Sequence, residues 1–198
     1  MSTIELKENP ETDGRKIRAS NNRQKIVDAM ISLVQLGHIS PSAESVAREA
    51  NVGKRTVFRR FTEMEALYKE MIIEVQKKFI PQEFSPFNSH QWQQQLLEYM
   101  DRKAVIYESL MPYRVAAQYH KHHSNFIQDN LKKWHKIEHK ILIKILPTKI
   151  IKNVALFNAL ELSLSFDSWL QLRLDQGISP KQAVNTKKKM LNALLVDF

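Results

Sequence analysis

The chain contains no cysteine, which excludes disulfide bonds and thiolate metal ligands. No run of 18 or more apolar residues occurs, so a membrane-spanning helix is not expected. Residues 1–14 are polar and partly acidic, without the apolar core of a secretion signal. Together these absences predict a cytoplasmic protein that has no membrane partner.

Glycine is scarce, with only four residues, and seven prolines punctuate the chain. The segments between them place apolar residues at helical spacing and almost never alternate apolar with polar residues. An all-α fold is therefore expected, with Pro81 and Pro112 ending helices. Helices are predicted at about 21–36, 43–50, 54–61, 63–80, 90–110, 113–121, 124–145, 148–176 and 181–196.

Common catalytic signatures are also missing. The sequence has no glycine-rich phosphate loop, no Gly-x-Ser-x-Gly nucleophile motif and no His-Glu-x-x-His zinc motif. His135 and His139 stand at i, i+4 spacing, but no third metal ligand lies near them in sequence. We expect a protein that is not an enzyme and that has no catalytic residues, no metal and no cofactor.

The most informative segment, residues 42–67, reads SAESVAREANVGKRTVFRRFTEMEAL. Two short helical stretches are separated by a break at 51–53, and the second stretch is dense in cations around an apolar seam. This layout is typical of a helix-turn-helix, whose second helix lies in the major groove of DNA. The seam residues Val57, Phe58 and Phe61 are predicted to be core.

The net charge of +9 is concentrated around this segment. Residues 15–60 contain ten Lys or Arg against three Asp or Glu, whereas residues 1–14 are net negative. A basic face of this kind attracts the phosphate backbone of nucleic acids. Double-stranded DNA is therefore the predicted partner of this part of the chain.

The predicted DNA contacts lie on both helices of the motif. At the start of the second helix, Arg55 is suited to bidentate bonding with guanine and Thr56 to contact with a thymine methyl group. Arg60 is assigned to phosphate, and Ser42 is expected to cap the first helix and to donate to a phosphate. The full set of predicted DNA-contacting residues is Ser42, Lys54, Arg55, Thr56, Phe58, Arg59 and Arg60.

Residues 1–20 are predicted to form a flexible N-terminal arm. Lys16, Arg18 and Arg23 precede or open the first helix. A basic arm at this place can enter the minor groove, and a solvated tail without DNA contact fits the sequence equally well.

The helix-turn-helix segment resembles the TetR family of bacterial transcriptional regulators. Over about residues 23–70 the resemblance is carried by Val46-Ala47-x-x-Ala50-x-Val52, Thr56-Val57-Phe58-x-x-Phe61 and Glu65-Ala66-Leu67. The C-terminal half is similar to that family in architecture rather than in motif. The resemblance implies a homodimer with an all-helical ligand-binding domain that releases DNA when a small molecule binds.

Two positions depart from the pattern of the family that the segment resembles. Phe58 stands where the family usually has a tyrosine, whose hydroxyl contacts phosphate. Met64 stands where the family usually has a lysine, also near phosphate. Each change removes a polar phosphate contact, for which Arg59 and Arg60 can compensate.

The expected domains are the helix-turn-helix domain at 21–79, including the connecting fourth helix, and a ligand-binding and dimerisation domain at 80–198. Between residues 154 and 174 large apolar side chains point nearly all round the predicted helix. A second copy of the chain is expected to cover part of this surface, together with the last helix. An apolar ligand pocket is expected in the same domain. Its candidate residues are Tyr99, Lys103, Tyr107, Tyr113, Trp134, Glu161, Phe166 and Trp169.

The leading hypothesis is a ligand-responsive transcriptional repressor that binds a near-palindromic DNA operator as a homodimer. A small apolar or aromatic ligand is expected to release it. The alternative is a helical protein that binds lipid or anionic surfaces through a basic stripe at i, i+4 spacing. A solvated outer face of a buried helix is the simpler explanation of this stripe, which consists of Lys132, Lys136, Lys140 and Lys144.

Overall fold

The computed structural model describes residues 10–196 and 198, with side chains described from residue 19 onward. This part of the chain contains ten α-helices and no strand, which confirms the all-α class. No helix within it is long and apolar enough to cross a bilayer. The chain divides into two compact units, Met1–Val75 and Gln76–Phe198. The boundary between the two units lies inside the fourth helix, after Val75, whereas the sequence predicts a domain boundary after residue 79.

The first unit is built from short helices around a small apolar core. Its helices are α1 (Pro10–Gln35), α2 (Ala43–Glu49), α3 (Lys54–Arg60) and the first part of α4 (Met64–Glu83). Each helix contributes side chains that are shielded from solvent, and burial of such side chains stabilises the unit by about 1.5–3 kcal/mol each. The most deeply buried include Ile26, Met30, Val46, Val57, Leu67 and Met71.

α1 begins earlier than the sequence predicts. Residues 10–20, expected to belong to a flexible arm, continue the helix toward the N-terminus, and residues 1–9 lie outside the described part. Pro10 is a favourable first residue because its fixed φ is helical and its missing amide has no intrahelical partner there. Gly14 costs the helix only about 1 kcal/mol relative to alanine, so it does not end the helix.

The C-terminal end of α1 agrees with the prediction. Gly37 adopts a φ of +95°, a backbone conformation that glycine adopts without steric cost. The His38 amide donates to the Leu33 carbonyl at 3.1 Å, and the Gly37 amide donates to the Val34 carbonyl at 3.0 Å. These two bonds form a Schellman motif, which satisfies carbonyl groups that the helix end leaves free.

The second unit follows the end of α4 and contains the longer helices. They are α5 (Trp92–His120), α6 (Asn125–Ile145), α7 (Thr148–Lys152), α8 (Val154–Leu164), α9 (Phe166–Leu170) and α10 (Pro180–Leu194). A 3₁₀ turn joins α5 to α6, and a π-helical turn, Gln171–Asp175, extends α9. One apolar core connects these helices, with Tyr99, Ile141, Leu142, Leu160, Trp169 and Leu191 among its buried members.

Pro81 does not end α4, which corrects the prediction. The helix continues to Glu83, and Arg102 of α5 contacts the chain just beyond. The Arg102 guanidinium donates to the Glu83 carbonyl at 3.2 Å and to the Ser85 carbonyl at 2.7 Å. Carbonyl groups at a helix end need such partners, so a tertiary contact supports the last turn.

Pro112 does not divide α5 either, although the sequence predicts two helices there. A proline inside a helix costs about 3 kcal/mol because it removes a hydrogen bond and crowds the preceding turn. Leu110, Ala116 and Ala117 are buried on both sides of Pro112. Their burial against the core offsets this cost and keeps the helix continuous.

The single helix predicted over 148–176 is instead divided into several segments. Asn153 precedes α8 and accepts the Leu156 amide at its side-chain oxygen, at 3.2 Å. Ser165 precedes α9 and accepts the Ser168 amide at 3.2 Å. Asparagine and serine favour such N-cap positions over helix interiors because their side chains bond neighbouring amides. The apolar periodicity of this region therefore overstates the length of the helix.

Candidate functional site

The turn between α2 and α3 has a defined backbone geometry. Asn51 adopts a φ of +51°, in the left-handed region that asparagine tolerates better than most residues. Its amide donates to the Arg48 carbonyl at 3.1 Å, and the Val52 amide donates to the Ala47 carbonyl at 2.9 Å. The break predicted at 51–53 is thus a Schellman turn, and α2 and α3 pack against each other across it.

α2 begins with a capping box. The Ser42 hydroxyl oxygen accepts the Ser45 amide at 3.1 Å, and the Ser42 amide donates to the Ser45 hydroxyl oxygen at 3.1 Å. The predicted N-cap role of Ser42 is confirmed, and a cap of this kind contributes about 1 kcal/mol. Ser42 is exposed, and its phosphate contact stays a prediction.

α3 separates a buried side from a cationic side. Val57 is fully buried and Phe61 is 2% exposed, as the sequence predicts. Lys54, Arg55 and Arg59 are exposed, and Thr56 is half-buried. Arg55 and Arg59 are four residues apart, so they lie on one face of the helix.

Phe58 is not a core residue, which corrects the prediction. Its side chain is 46% exposed, whereas Val57 and Phe61, four residues apart, share the buried face. Consecutive residues of a helix are rotated by about 100°, so position 58 turns away from that face. Phe58 instead lies four residues after Lys54, on the exposed side.

Arg23 is tied to the first unit rather than extended as a basic arm. Its guanidinium carbon lies 4.2 Å from the centroid of the Phe61 ring, and its Nε donates to Glu70 Oε1 at 2.9 Å. Its Nη1 donates to the Arg60 carbonyl at 2.7 Å, at the end of α3. Arg23 therefore anchors α3 to α1 and α4. The side chains of Lys16 and Arg18 lie outside the described residues.

In the second unit, one buried carboxylate gathers several candidate ligand residues. Glu138 Oε1 lies 2.8 Å from Lys103 Nζ, and it accepts the Tyr107 hydroxyl at 2.7 Å and the Trp134 indole Nε1 at 3.1 Å. Lys103 Nζ also donates to the Tyr99 hydroxyl at 3.3 Å. Four of the eight candidates thus form a satisfied polar network within the core, and their contact with a ligand stays a prediction.

Glu138 is not among the residues predicted from the sequence, although its position in the sequence distinguishes it. It is an acidic residue on the apolar face of α6, in line with Trp134 and Ile141. Burial opposes its ionisation, but the Lys103 ammonium and the hydrogen bonds from Lys103 and Tyr107 outweigh burial and hold the pKa of the carboxyl below its usual value. Glu138 therefore stays charged and opposite Lys103.

Glu83 is a second buried carboxyl that the sequence did not single out. It is 1% exposed, both carboxyl oxygens are shielded from solvent, and the Tyr99 hydroxyl lies near them. Burial raises its pKa, with the Glu138 charge adding to the effect, although the nearby Lys103 ammonium acts the other way. A carboxyl of this kind favours the neutral form more than an exposed one does.

The remaining candidates have separate surroundings. Glu161 pairs with His139, whose Nδ1 lies 2.6 Å from Glu161 Oε1. Trp169 is fully buried, and its indole nitrogen donates to Glu108 at 2.9 Å. Phe166 contacts Tyr107 edge to face with ring centroids 5.2 Å apart, and Tyr113 is half-buried.

An apolar groove of about 600 Å³ runs between α8 and α10. This α8–α10 groove is lined by Ala159, Leu162, Met190 and Leu194, among others. Leu162 is 67% exposed and Met190 is 40% exposed. Both belong to the helices that are expected to form a dimer interface. Leu191 is buried in its own chain, so only part of the predicted apolar surface is uncovered.

A scan against protein-family models finds no match, and no curated protein matches the chain. Function is therefore inferred from the residues and their geometry.

Proposed function

We propose that the chain is a DNA-binding transcriptional regulator in which α3 lies in the major groove. The observation that carries the proposal is the two-sided character of this helix. Val57 and Phe61 are buried on one side, and Arg55 and Arg59 are exposed on the other, directly after a capped α2 and a tight turn. A short helix held in this way presents its cations to DNA on a backbone that is already ordered before binding.

The roles of the exposed side chains follow from their chemistry. Arg55 offers a guanidinium that matches the two acceptors of guanine, and Thr56 beside it offers a methyl group. Lys54 and Arg59 add positive charge, which attracts phosphates and contributes affinity on any sequence. Phe58 is exposed and has no hydroxyl, so it supplies apolar contact in place of a phosphate bond.

The regulator is proposed to act as a homodimer through the α8–α10 groove. Supporting this are the exposed Leu162 and Met190, which a second copy of the same groove would cover. A two-fold dimer presents two recognition helices, and its operator is then near-palindromic.

The proposed regulator is a repressor released by a small molecule that binds the second unit. The support is the resemblance of the first unit to TetR regulators. The physical requirement is that the ligand binds more tightly to the form of the dimer that binds DNA poorly. Coupling of this kind is typically about 1–3 kcal/mol, and operator DNA weakens the ligand by the same factor.

Selection from a random DNA pool tests DNA recognition. The wild type is expected to enrich a near-palindromic site, and Arg55→Ala is expected to lose preference at one position of each half-site by about 1–3 kcal/mol. Lys25→Ala, which removes an exposed cation of α1, is the matched control and should enrich the same site as the wild type. A pool that stays unenriched with wild-type protein at low salt would contradict the proposal.

A second candidate function is binding to lipid or anionic surfaces through α6. The observation that favours it is that Lys132, Lys136, Lys140 and Lys144 are all exposed, opposite the buried Trp134. Sedimentation with vesicles of anionic lipid tests it. Vesicle binding that is lost when the four lysines become glutamine, in a protein that selects no DNA, would replace the regulator proposal.

A further inference from the structure

A cleft of about 420 Å³ opens in the second unit between the end of α5, the middle of α6 and the start of α9. Small-molecule sites typically measure about 300–1,000 Å³, so the cleft has room for one small organic molecule. Asp167 is the one residue that its lining shares with the α8–α10 groove, and the cleft involves none of the DNA-contacting residues proposed above.

Four cations line the cleft. Arg114, Lys121, Lys132 and Lys136 stand around it, together with His135. Among the described residues, the ion pairs of the four cations are confined to Lys132, whose Nζ lies 3.6 Å from Asp129 with both side chains largely exposed. An exposed pair of this kind contributes little, and the four cations outnumber the two carboxylates of the lining, Glu138 and Asp167.

The two carboxylates that line the cleft are already engaged. Glu138 faces the buried Lys103 ammonium at 2.8 Å. Asp167 accepts the Gln118 side-chain amide at 2.7 Å. The Arg114 charge also acts on Glu138, and Asp167 keeps its own charge. Four cations against two carboxylates leave the lining net positive, so the electrostatic potential there favours an anion.

Arg114 is the most constrained of the four cations. Its guanidinium carbon lies 4.6 Å from the centroid of the Phe166 ring, which fixes the plane of the guanidinium. Its Nε is shielded from solvent and has no acceptor among the described residues. A shielded donor without an acceptor is unfavourable, and an anion beside it supplies hydrogen-bond acceptors and the opposite charge.

One side of the cleft is apolar. The half-buried Leu131 lines it next to the cations, and Phe166, which is 2% exposed, lies beneath the Arg114 guanidinium. A ligand with an apolar body can desolvate against Leu131 while its charged group faces Arg114. A compact inorganic anion would leave this apolar side uncovered. A cationic ligand would meet four like charges.

We infer that this cleft binds a small aromatic anion, whose carboxylate or phosphate pairs with Arg114 and whose ring contacts Leu131. Lys132 and Lys136 add charge at the rim. The inference deepens the proposed function, because it identifies the chemical class of the effector, and its regulatory meaning rests on that function. The binding event itself requires no DNA.

Calorimetry of the full chain with four probes tests the inference. Benzoate and phenyl phosphate carry both the charge and the ring, benzamide carries the ring alone, and inorganic phosphate carries the charge alone. At least one of the first two is expected to bind at least about tenfold tighter than benzamide, which is the scale of one charged hydrogen bond. The same probe is expected to bind at least about tenfold tighter than inorganic phosphate, because its ring buries apolar surface. The comparison of benzoate with phenyl phosphate identifies the anionic group.

Substitutions in and beside the cleft test whether the probe binds there. Arg114→Gln is expected to weaken the bound probe at least about tenfold, and Lys136→Gln about threefold. Lys133→Gln is the matched control, since Lys133 is an exposed neighbour on α6 that does not line the cleft. It should bind as the wild type does. If Arg114→Gln does not fold, the double change of Lys132 and Lys136 to glutamine carries the same test.

Three outcomes would overturn the inference. They are benzamide binding as tightly as the tighter of benzoate and phenyl phosphate, inorganic phosphate binding as tightly as that same probe, and no heat of binding from either aromatic anion up to about 10 mM with folded protein. Equal weakening by Lys133→Gln and Lys136→Gln would place the anion elsewhere on α6 and also count against it. Selection of DNA by the wild type is measured separately, so failure of the proposed function and failure of the cleft are distinguishable.

Discussion

Single buried charges determine much of the chemistry of the second unit. Lys103 is 1% exposed, and its charge is compensated by Glu138 on the neighbouring helix. The same carboxylate accepts Tyr107 and Trp134, so removing its charge leaves Lys103 without its counter-charge. Only the position of Glu138 on an apolar helix face hinted at this role in the sequence, because its partners come from elsewhere in the chain.

Glu138→Gln is expected to lower the free energy of unfolding by about 3–5 kcal/mol, because it leaves an uncompensated ammonium in the core. Asp129→Asn is the control, since it removes an exposed carboxylate from the same helix. Urea unfolding followed by circular dichroism measures both variants. A loss in Glu138→Gln no greater than that in Asp129→Asn would show that the buried pair contributes nothing beyond a surface charge.

The buried Lys187 makes the free energy of unfolding depend on pH. Burial, aided by the nearby Lys103 ammonium, lowers its pKa from 10.5 to about 7 in the folded chain. Between these values the unfolded chain binds more protons than the folded chain, so stability rises with pH across this window. The charged form of Lys187 is unfavourable in the folded chain. Lys187 therefore lowers the free energy of unfolding most below pH 7.

Lys187→Met should remove this pH dependence. The stability of the wild type relative to the variant is expected to improve by about 2–4 kcal/mol between pH 6 and pH 10. The difference between the two proteins is the quantity measured, because other titrating groups affect both. Ser163 and Ser168 lose a hydrogen-bond donor in the variant, which shifts its stability at every pH. A difference that stays constant with pH would contradict the lowered pKa.

At the scale of helices, local sequence predicted the ends that are closed by local hydrogen bonds. Gly37 closes α1 and Ser42 opens α2, and both were predicted because each satisfies amides or carbonyls a few residues away. Pro81 and Pro112 were misleading, because a contact from Arg102 and burial on both sides of Pro112 preserve their helices. Such support comes from residues distant in sequence, which periodicity does not reveal.

The α2–α3 turn gives a prediction about the geometry of the candidate interface. Asn51→Val should destabilise the first unit by about 1–2 kcal/mol, since a β-branched side chain is strained at φ +51°. Asn51→Gly is the matched control and should be neutral or slightly stabilising, because glycine adopts this conformation freely. Thermal unfolding compares the two. Equal stability of both variants would mean that the turn relaxes to another conformation.

At the scale of the whole molecule, the sequence correctly indicated an all-α chain and an excess of apolar surface on its last helices. It did not indicate which residues stay uncovered. Leu164 and Leu191 are buried within the chain, whereas Leu162 and Met190 are exposed along the α8–α10 groove. The apolar pattern treats all four residues alike, and only the packing of α8 against α10 separates them.

Leu162→Asp is expected to convert a dimer to a folded monomer, because it places a charge in the α8–α10 groove without touching the core. Leu191→Asp should instead unfold the second unit, since that side chain is 1% exposed. Sedimentation and circular dichroism together separate the two effects. A wild-type chain that sediments as a monomer at micromolar concentration would remove the proposed dimer.

The division into two units has a spectroscopic consequence. Trp92, Trp134 and Trp169, which are all the tryptophans of the chain, belong to the second unit. Two of their indole nitrogens donate to carboxylates, Trp134 to the buried Glu138 and Trp169 to the half-buried Glu108, so their emission is sensitive to these charges. Tryptophan fluorescence therefore follows the second unit alone, while far-ultraviolet dichroism follows the helices of both. Any separation of the two signals during denaturation measures directly how independently the halves of the molecule melt.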